Sequence, residues 1–272
     1  MLRKKPSVSV VIRTRNMESR LSELLLGLSR QTLRPSEVVV VDNFSGEGTL
    51  QKMTGFLSSA KTRFFKDQTA VKLVPVPDSE FSHAYSTNAG ILFSEGELVC
   101  ITNGHSLPFS KTWLESGVAH FRDPEVAGVG GYSTPHTDGT VWEKLAYRWS
   151  WKEFNEISRM YAKDSYFSTM NCVLRRALWE EYPFDEKLPD EIPLSSRFGG
   201  EDYDWATEML ARRHKIVVEP MFCVYHSHGD GLSVLASKYI VWRRIRKRIA
   251  TLSRPRESFT KIRFSKPRYF DL

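Results

Sequence analysis

Ser7-Val-Ser-Val-Val-Ile-Arg-Thr-Arg-Asn16, followed by Pro35-Ser-Glu-Val-Val-Val-Val-Asp-Asn-Phe-Ser45, decides the fold. Val8–Ile12 and Glu37–Val41 are short β-branched runs with little polar alternation, the pattern of strands covered on both faces. Between them Leu21, Leu24, Leu25 and Leu28 recur at i, i+3, i+4 and i+7, one apolar helical stripe, and Asn16 carries an N-capping side chain. Strand, amphipathic helix and strand within about 35 residues make a βαβ unit, so the two strands are parallel. The unit repeats. Lys72–Val76 reads as a strand, Ser86–Phe93 as a short helix stopped near Gly96, and Leu98–Thr102 as a further strand. The expected class is α/β, a mainly parallel central sheet flanked by helices.

Open parallel sheets bind ligands beyond the carboxyl ends of their strands. Three such ends carry polar groups here, Thr14, Asp42-Asn43 and Asn103-Gly104-His105, and the topology draws them to one rim. No G-x-G-x-x-G follows the first strand and no P-loop occurs, which excludes a dinucleotide dehydrogenase and a Walker-type NTPase. The second half is less regular. Phe167–Leu174 and Ile216–Tyr225 read as strands, Leu178–Tyr182 and Tyr203–Ala211 as helices, and Pro183–Phe198 as a long polar loop.

The 272 residues are 41% hydrophobic and 12% aromatic, enough to build a core and to exclude general disorder. No apolar run approaches the ~20 residues that span a bilayer. The basic start (Arg3, Lys4, Lys5) is followed by too short an apolar stretch for a signal peptide. Cys100, Cys172 and Cys223 each sit in an apolar segment and read as buried thiols, so a cytoplasmic location is expected. The net charge of +7 is uneven: from Lys238 onward 12 Lys/Arg face only Glu257 and Asp271, whereas the preceding 237 residues carry 27 basic and 30 acidic groups. Leu235, Tyr239, Trp242, Ile245 and Ile249 fall at helical spacing within an expected helix over Leu232–Leu252, among Arg243, Arg244, Arg246, Lys247 and Arg248. The chain thus divides into a domain over 1–231 and a basic helix and tail over 232–272. Such a tail suits a polyanion, an anionic membrane surface or nucleic acid.

The opening two segments resemble those of family 2 glycosyltransferases, whose nucleotide-binding half has the GT-A fold. The resemblance continues through Glu80-Phe-Ser-His-Ala-Tyr-Ser-Thr-Asn-Ala-Gly90, Gly96-Glu-Leu-Val-Cys-Ile-Thr-Asn-Gly-His105 and Pro108, and resumes at Pro183-Phe-Asp-Glu186, Gly200-Glu-Asp-Tyr-Asp-Trp205 and Val224-Tyr-His226. It covers about residues 7–230, and the nearest subgroup is the rhamnosyltransferase type of bacterial surface polysaccharide assembly. The resemblance implies that Thr14 and Asp42 contact the nucleotide, with Asn43 adjacent, and that Asn88 opens the helix before the metal-site strand. Asn103-Gly104-His105 stands where the family has Asp-x-Asp, the motif that holds a cation on the donor diphosphate. Both carboxylates are missing, and His105 takes the second position. Imidazole suits Mn²⁺ better than Mg²⁺, so Mn²⁺ is the expected cofactor. His226 matches a second metal ligand, with His228 able to assist. Asp202 matches the general base and Glu201 an orienting group.

Each residue also has a structural reading: Asp42 as turn chemistry, His105 as a loop histidine, Glu201-Asp202 as the acidic first turn of a helix. His83 is evenly divided, His136 has no assignment, and Trp149 and Trp151 are weak acceptor candidates. The expected function is inverting transfer of a sugar from a nucleotide-diphosphate donor to a hydroxyl of a glycan or lipid-linked acceptor, at the inner face of a membrane. One rival is a member that binds sugar nucleotides without catalysis, suggested by the missing Asp-x-Asp. Another is a nucleic-acid-binding protein. It has only the basic tail behind it and no recognised motif, so no nucleic acid is expected as partner.

Overall fold

The computed structural model describes residues 6–15, 19–44, 46–66, 68–148, 167–252 and 269–272. The strands are β1 (Val8–Arg15), β2 (Glu37–Phe44), β3 (Ala70–Pro77), β4 (Leu98–Asn103), β5 (Leu107–Pro108), β6 (Val126–Thr134), β7 (Asn171–Arg175), β8 (Lys215–Tyr225) and β9 (Phe270–Asp271). They form one sheet in the order β5-β8-β6-β7-β4-β1-β2-β3-β9. β1 to β4 are mutually parallel, β7 runs against β4, and β6 and β8 return to the parallel direction.

Both faces of the parallel strands are covered, as the unbroken valine runs require. Val10, Ile12, Val38, Val40 and Leu73 pack with Leu21, Leu24, Leu25 and Leu28 of the first helix, Leu21–Ser29, and with Met53, Leu57 and Trp113. Val11, Val39, Val41, Val74 and Ile101 face the opposite layer, built from helices His83–Leu92, Arg176–Glu181 and Glu201–Ala211. This is the α/β class with helices on both sides of the sheet. Cys100, Cys172 and Cys223 are buried free thiols, and burial raises the pKa of each.

Several local expectations are corrected. Asn16 lies outside the described residues, and the N-cap position of the first helix is Arg20, with no side-chain cap. β2 continues through Asp42 and Asn43, which therefore belong to a strand and not to a turn. The helix expected at Ser86 begins at His83, because Ser82 caps it by accepting the Tyr85 amide at 3.0 Å. Asn88 consequently stands inside this helix and does not open it. β7 starts only at Asn171; Phe167 is core, stacked on Trp205 with ring centroids 5.0 Å apart. The long polar loop contains two short helices, Leu188–Glu191 and Ser195–Phe198. Its apolar residues Leu188 and Ile192, four apart, are buried against Ile245 and Ile249.

Those two isoleucines belong to the C-terminal helix, Leu232–Ile249, which is docked on the body by one face of its last turns. Burying each contributes about 1.5–3 kcal/mol. Tyr239 and Trp242, expected on the same stripe, are exposed instead, and Trp242 Nε1 donates to the Phe198 carbonyl at 3.2 Å. The basic stretch 253–268 lies outside the described residues. Beyond it β9 pairs antiparallel with β3. No helix among the described residues is long and apolar enough to cross a membrane.

At the amino ends of the strands an ionic cluster ties three elements together. Glu37 accepts from Ser9 Oγ at 2.6 Å and from the Glu95 amide, while Lys72 Nζ lies 3.0 Å from Glu37 and 2.6 Å from Glu95. Burial alone would raise the Glu37 pKa, but these donors and the Lys72 charge outweigh it, and the pKa is lowered.

Candidate active site

The carboxyl ends of β1, β2, β4, β6 and β8 meet at one rim, together with the segment entering β7. Strand register decides which side chains are neighbours. Thr14 stands opposite Asp42 across β1 and β2, and Arg13 opposite Asn103 across β1 and β4. Thr14, Asp42 and Asn43 are all buried. The Asn43 Oδ1 accepts from Ser86 Oγ at 3.4 Å, and the Asn103 Oδ1 from Arg13 Nη2 at 3.2 Å.

Asn88 is different. Its Nδ2 donates to the Phe184 carbonyl (2.9 Å) and to Glu186 (2.8 Å), and its Oδ1 accepts from Trp179 Nε1 (2.9 Å) and the Phe184 amide (3.2 Å). An asparagine amide has two donors and an acceptor oxygen with two lone pairs. All are committed inside the fold, so Asn88 fastens the Pro183–Glu186 segment and has nothing left for a ligand.

The histidines come together through a non-local hook. After β4 the Gly104 amide donates to the Arg13 carbonyl at 2.7 Å, and β5 pairs antiparallel with Tyr225 and Val224 at the end of β8. This lays His105 on His226, ring centroids 4.6 Å apart and stacked. His226 Nε2 is 3.1 Å from His228 Nε2, and its Nδ1 is 2.9 Å from Ser106 Oγ. His136 Nε2 lies 2.9 Å from the His105 carbonyl oxygen, a supporting position. Each of His105, His226 and His228 offers one nitrogen, and these lie within 4.8 Å of one another. Burial, reinforced by the neighbouring imidazoles, holds His226 well below the usual histidine range, and His228 is lowered for the same reasons. Neutral imidazoles fit a metal ion, which takes their lone pairs.

A two-glycine turn presents the acidic pair. Gly199 has φ 74° and Gly200 φ 125°, conformations that side chains other than glycine rarely adopt. A Cβ on Gly200 would also lie 2.8 Å from Ile245 Cγ2. The helix then opens with Glu201 and Asp202. Asp202 Oδ2 accepts from the Thr169 amide at 3.1 Å and Oδ1 from its neighbour Tyr203 at 2.7 Å. Glu201 is buried, with Oε1 3.3 Å from Thr169 Oγ1 and 3.8 Å from Arg13 Nη1. Burial raises the Glu201 pKa, and the adjacent Asp202 charge adds to the rise. The two carboxyls are therefore unequal: one half-buried and fixed by backbone donors, one buried with a raised pKa.

Sequence reasoning missed Arg13 and Thr169. Arg13 also donates to the His83 carbonyl at 3.3 Å and to Thr169 Oγ1 at 3.0 Å, so it links β1, the His83 helix and the acidic pair. Its signal was a cation directly after a buried apolar run. Thr169 has no local signal. His83 packs its ring edge-on to Phe81 and holds the Arg197 carbonyl at 3.2 Å, a structural position. Trp149 and Trp151 lie outside the described residues, and Trp113 and Trp205 are core.

Comparison with known proteins identifies a family and a fold. The family model described as glycosyl transferase family 2 matches residues 9–182. The O-antigen chain rhamnosyltransferase WbaN of Salmonella anatum is 23% identical over 232 residues, covering 82% of this chain and 67% of its own. RfbN of Salmonella typhimurium, described in the same words, is 21% identical over 229 residues, with 82% and 67% covered. The mannosyltransferase PcManGT of Pyrobaculum calidifontis, solved with GDP-mannose and Mn²⁺, superposes with a TM-score of 0.66 at 20% identity over 93% of this chain and 67% of its own. TarS 1–349 of S. aureus, solved with UDP-GlcNAc, gives 0.56 at 18% identity over 92% and 68%.

Proposed function

The chain belongs to glycosyl transferase family 2 and is a nucleotide-sugar-dependent glycosyltransferase with the GT-A fold, and from that premise we propose that it inverts the anomeric centre with Asp202 as the base. The observation that carries this reading is the Asp202 carboxylate, held by two backbone donors on the rim where the strand ends and the histidines converge. An inverting transfer needs one base for the acceptor hydroxyl and positive charge for the departing diphosphate. Asp202 accepts the hydroxyl proton on an oxygen lone pair that its backbone donors leave available. Buried Glu201, with Arg13 and Thr169, fixes the position of Asp202. Thr14, Asp42, Asn43 and Asn103 line the donor side; Asn88 is not among them. His105 and His226 would hold a divalent cation, which would supply positive charge to the diphosphate, and imidazole ligands disfavour Mg²⁺, which prefers oxygen. The relatives WbaN and RfbN, O-antigen chain rhamnosyltransferases by description, support a deoxyhexose as the transferred sugar and a glycan as acceptor.

A thermal-shift panel of UDP-, GDP- and dTDP-sugars with Mn²⁺ or Mg²⁺ tests the donor reading. One nucleotide class is expected to raise the melting temperature; saturation at 100 times Kd corresponds to about 2.7 kcal/mol. No stabilisation by any of them overturns the donor assignment.

We further propose that residues 1–231 form the catalytic domain and that the basic helix and tail, 232–272, hold it to an anionic membrane at the cytoplasmic face. Exposed Arg243, Arg244 and Lys247 support this, each worth about 1 kcal/mol near anionic lipid. The protein is expected to sediment with anionic but not neutral liposomes and to be released by ~0.5 M salt. Replacing these three residues by glutamate is the variant to use, because truncating the helix would uncover Leu188 and Ile192. Equal sedimentation with neutral liposomes removes the electrostatic reading.

A further inference from the structure

The histidine cluster contains a third ligand, and its donor set points to a different metal class from a carboxylate site. We propose that His105, His226 and His228 form a three-imidazole centre that takes a zinc-class ion, Zn²⁺ or Co²⁺, and takes it without nucleotide. The inference deepens the reading of the rim as a glycosyl-transfer site.

Ligand nitrogens of a tetrahedral ion, at metal–nitrogen distances of about 2.0–2.1 Å, stand roughly 3.4 Å apart. The His226 and His228 Nε2 atoms are already 3.1 Å apart, and the three donor nitrogens lie within 4.8 Å of one another. Two imidazole nitrogens at that distance share at most one hydrogen between them, whereas an ion between them satisfies both lone pairs. The surrounding contacts orient the rings for this. Ser106 Oγ sits at 2.9 Å from His226 Nδ1; in the tautomer that carries its hydrogen on Nδ1 the hydroxyl accepts it, and Nε2 is then open to the metal. The Glu143 carboxylate accepts the amides of His228 (2.9 Å) and Asp230 (3.1 Å) through Oε1 and that of Thr140 (2.9 Å) through Oε2, fixing the backbone that carries the third ligand.

The same contacts keep carboxylates out of the donor set. Glu143 is occupied by those amides, and Asp230 is paired with Lys238. Three neutral nitrogens without an oxyanion disfavour Mg²⁺, which requires oxygen, and rank Mn²⁺ below Co²⁺ and Zn²⁺. Three protein ligands suffice to hold the ion before a diphosphate arrives, whereas a site with two protein ligands would depend on the donor.

The test uses the untagged full chain, stripped with EDTA, and cobalt alone as the probe. One equivalent of Co²⁺ is expected to produce a visible d–d absorption band without nucleotide. Stoichiometric Zn²⁺ should bleach the band, and a 100-fold excess of Mg²⁺ or Mn²⁺ should leave it. Changing an outer-shell partner typically costs 10–100-fold in affinity, so losing a ligand through His228→Ala should cost about 100-fold or more. His228→Gln is the second variant if alanine disturbs the fold, with circular dichroism as the folding control. Displacement of cobalt by Mn²⁺, or unchanged cobalt affinity in a folded His228 variant, overturns the proposal. Tight cobalt binding in a protein that binds no nucleotide sugar upholds the metal centre and overturns the donor reading instead.

Discussion

Asp202→Asn is expected to lower turnover by about 10²–10⁴-fold, the usual contribution of a positioned general base, while the donor binds as before. The amide has the size of the carboxylate but does not take up a proton at neutral pH. Its oxygen still accepts one of the two amides, Thr169 or Tyr203, that hold the native side chain. The other amide then faces an NH₂ group, which costs about 1–3 kcal/mol in stability and does not touch the strand ends where the donor sits. Release of nucleoside diphosphate measures turnover, and calorimetric titration of the donor measures binding. Near-native turnover removes Asp202 from the mechanism. Lost donor binding with equal loss of turnover would make Asp202 a binding residue.

The second large effect concerns stability. Lys72→Met is expected to destabilise the fold by about 3–5 kcal/mol, the cost of leaving a buried charge without its partner. Lys72 and Glu37 are both buried, and the lysine stem fits methionine, so lost volume contributes little. Glu37 keeps Ser9 and the Glu95 amide but is left with only the more distant Arg176 charge in place of the lysine. Urea unfolding reads the effect as a lower midpoint at unchanged slope. The double variant Lys72→Met/Glu37→Gln should recover part of the loss, since it removes the orphaned charge. A single variant within about 0.5 kcal/mol of the parent, the range of an ordinary surface substitution, would show that the pair contributes little.

The parallel half of the sheet was legible because its signal is local. A valine run such as Val38–Val41, short and wholly β-branched, reads as a strand covered on both faces, and the Leu21–Leu28 stripe reads as a helix. The positions of Thr14 and Asp42 followed, since parallel register makes them neighbours. Asn88 was misread for the opposite reason. Its partners lie more than ninety residues away, in the Phe184–Glu186 segment and Trp179, and nothing near it in sequence signals that its amide is spent. The Pro183–Phe198 segment reads as polar because Leu188 and Ile192 are too sparse to signal helix until the C-terminal helix supplies their partners. His105 and His226 were picked out by family resemblance, but their approach depends on the two-residue strand β5, too short to show any periodicity.

The contact between Gly200 and Ile245 couples two stretches that sequence comparison would treat as unrelated. The glycine has no room for a methyl group because Ile245 Cγ2 fills that space, and Ile245 is held there by Leu188 and Ile192. The two positions therefore share one volume: the backbone at 200 keeps glycine there whatever stands at 245, and a residue larger than isoleucine at 245 would press on the turn. A swap of the C-terminal helix between homologues that ignores this pairing would carry its error straight into the turn that aims the acidic pair.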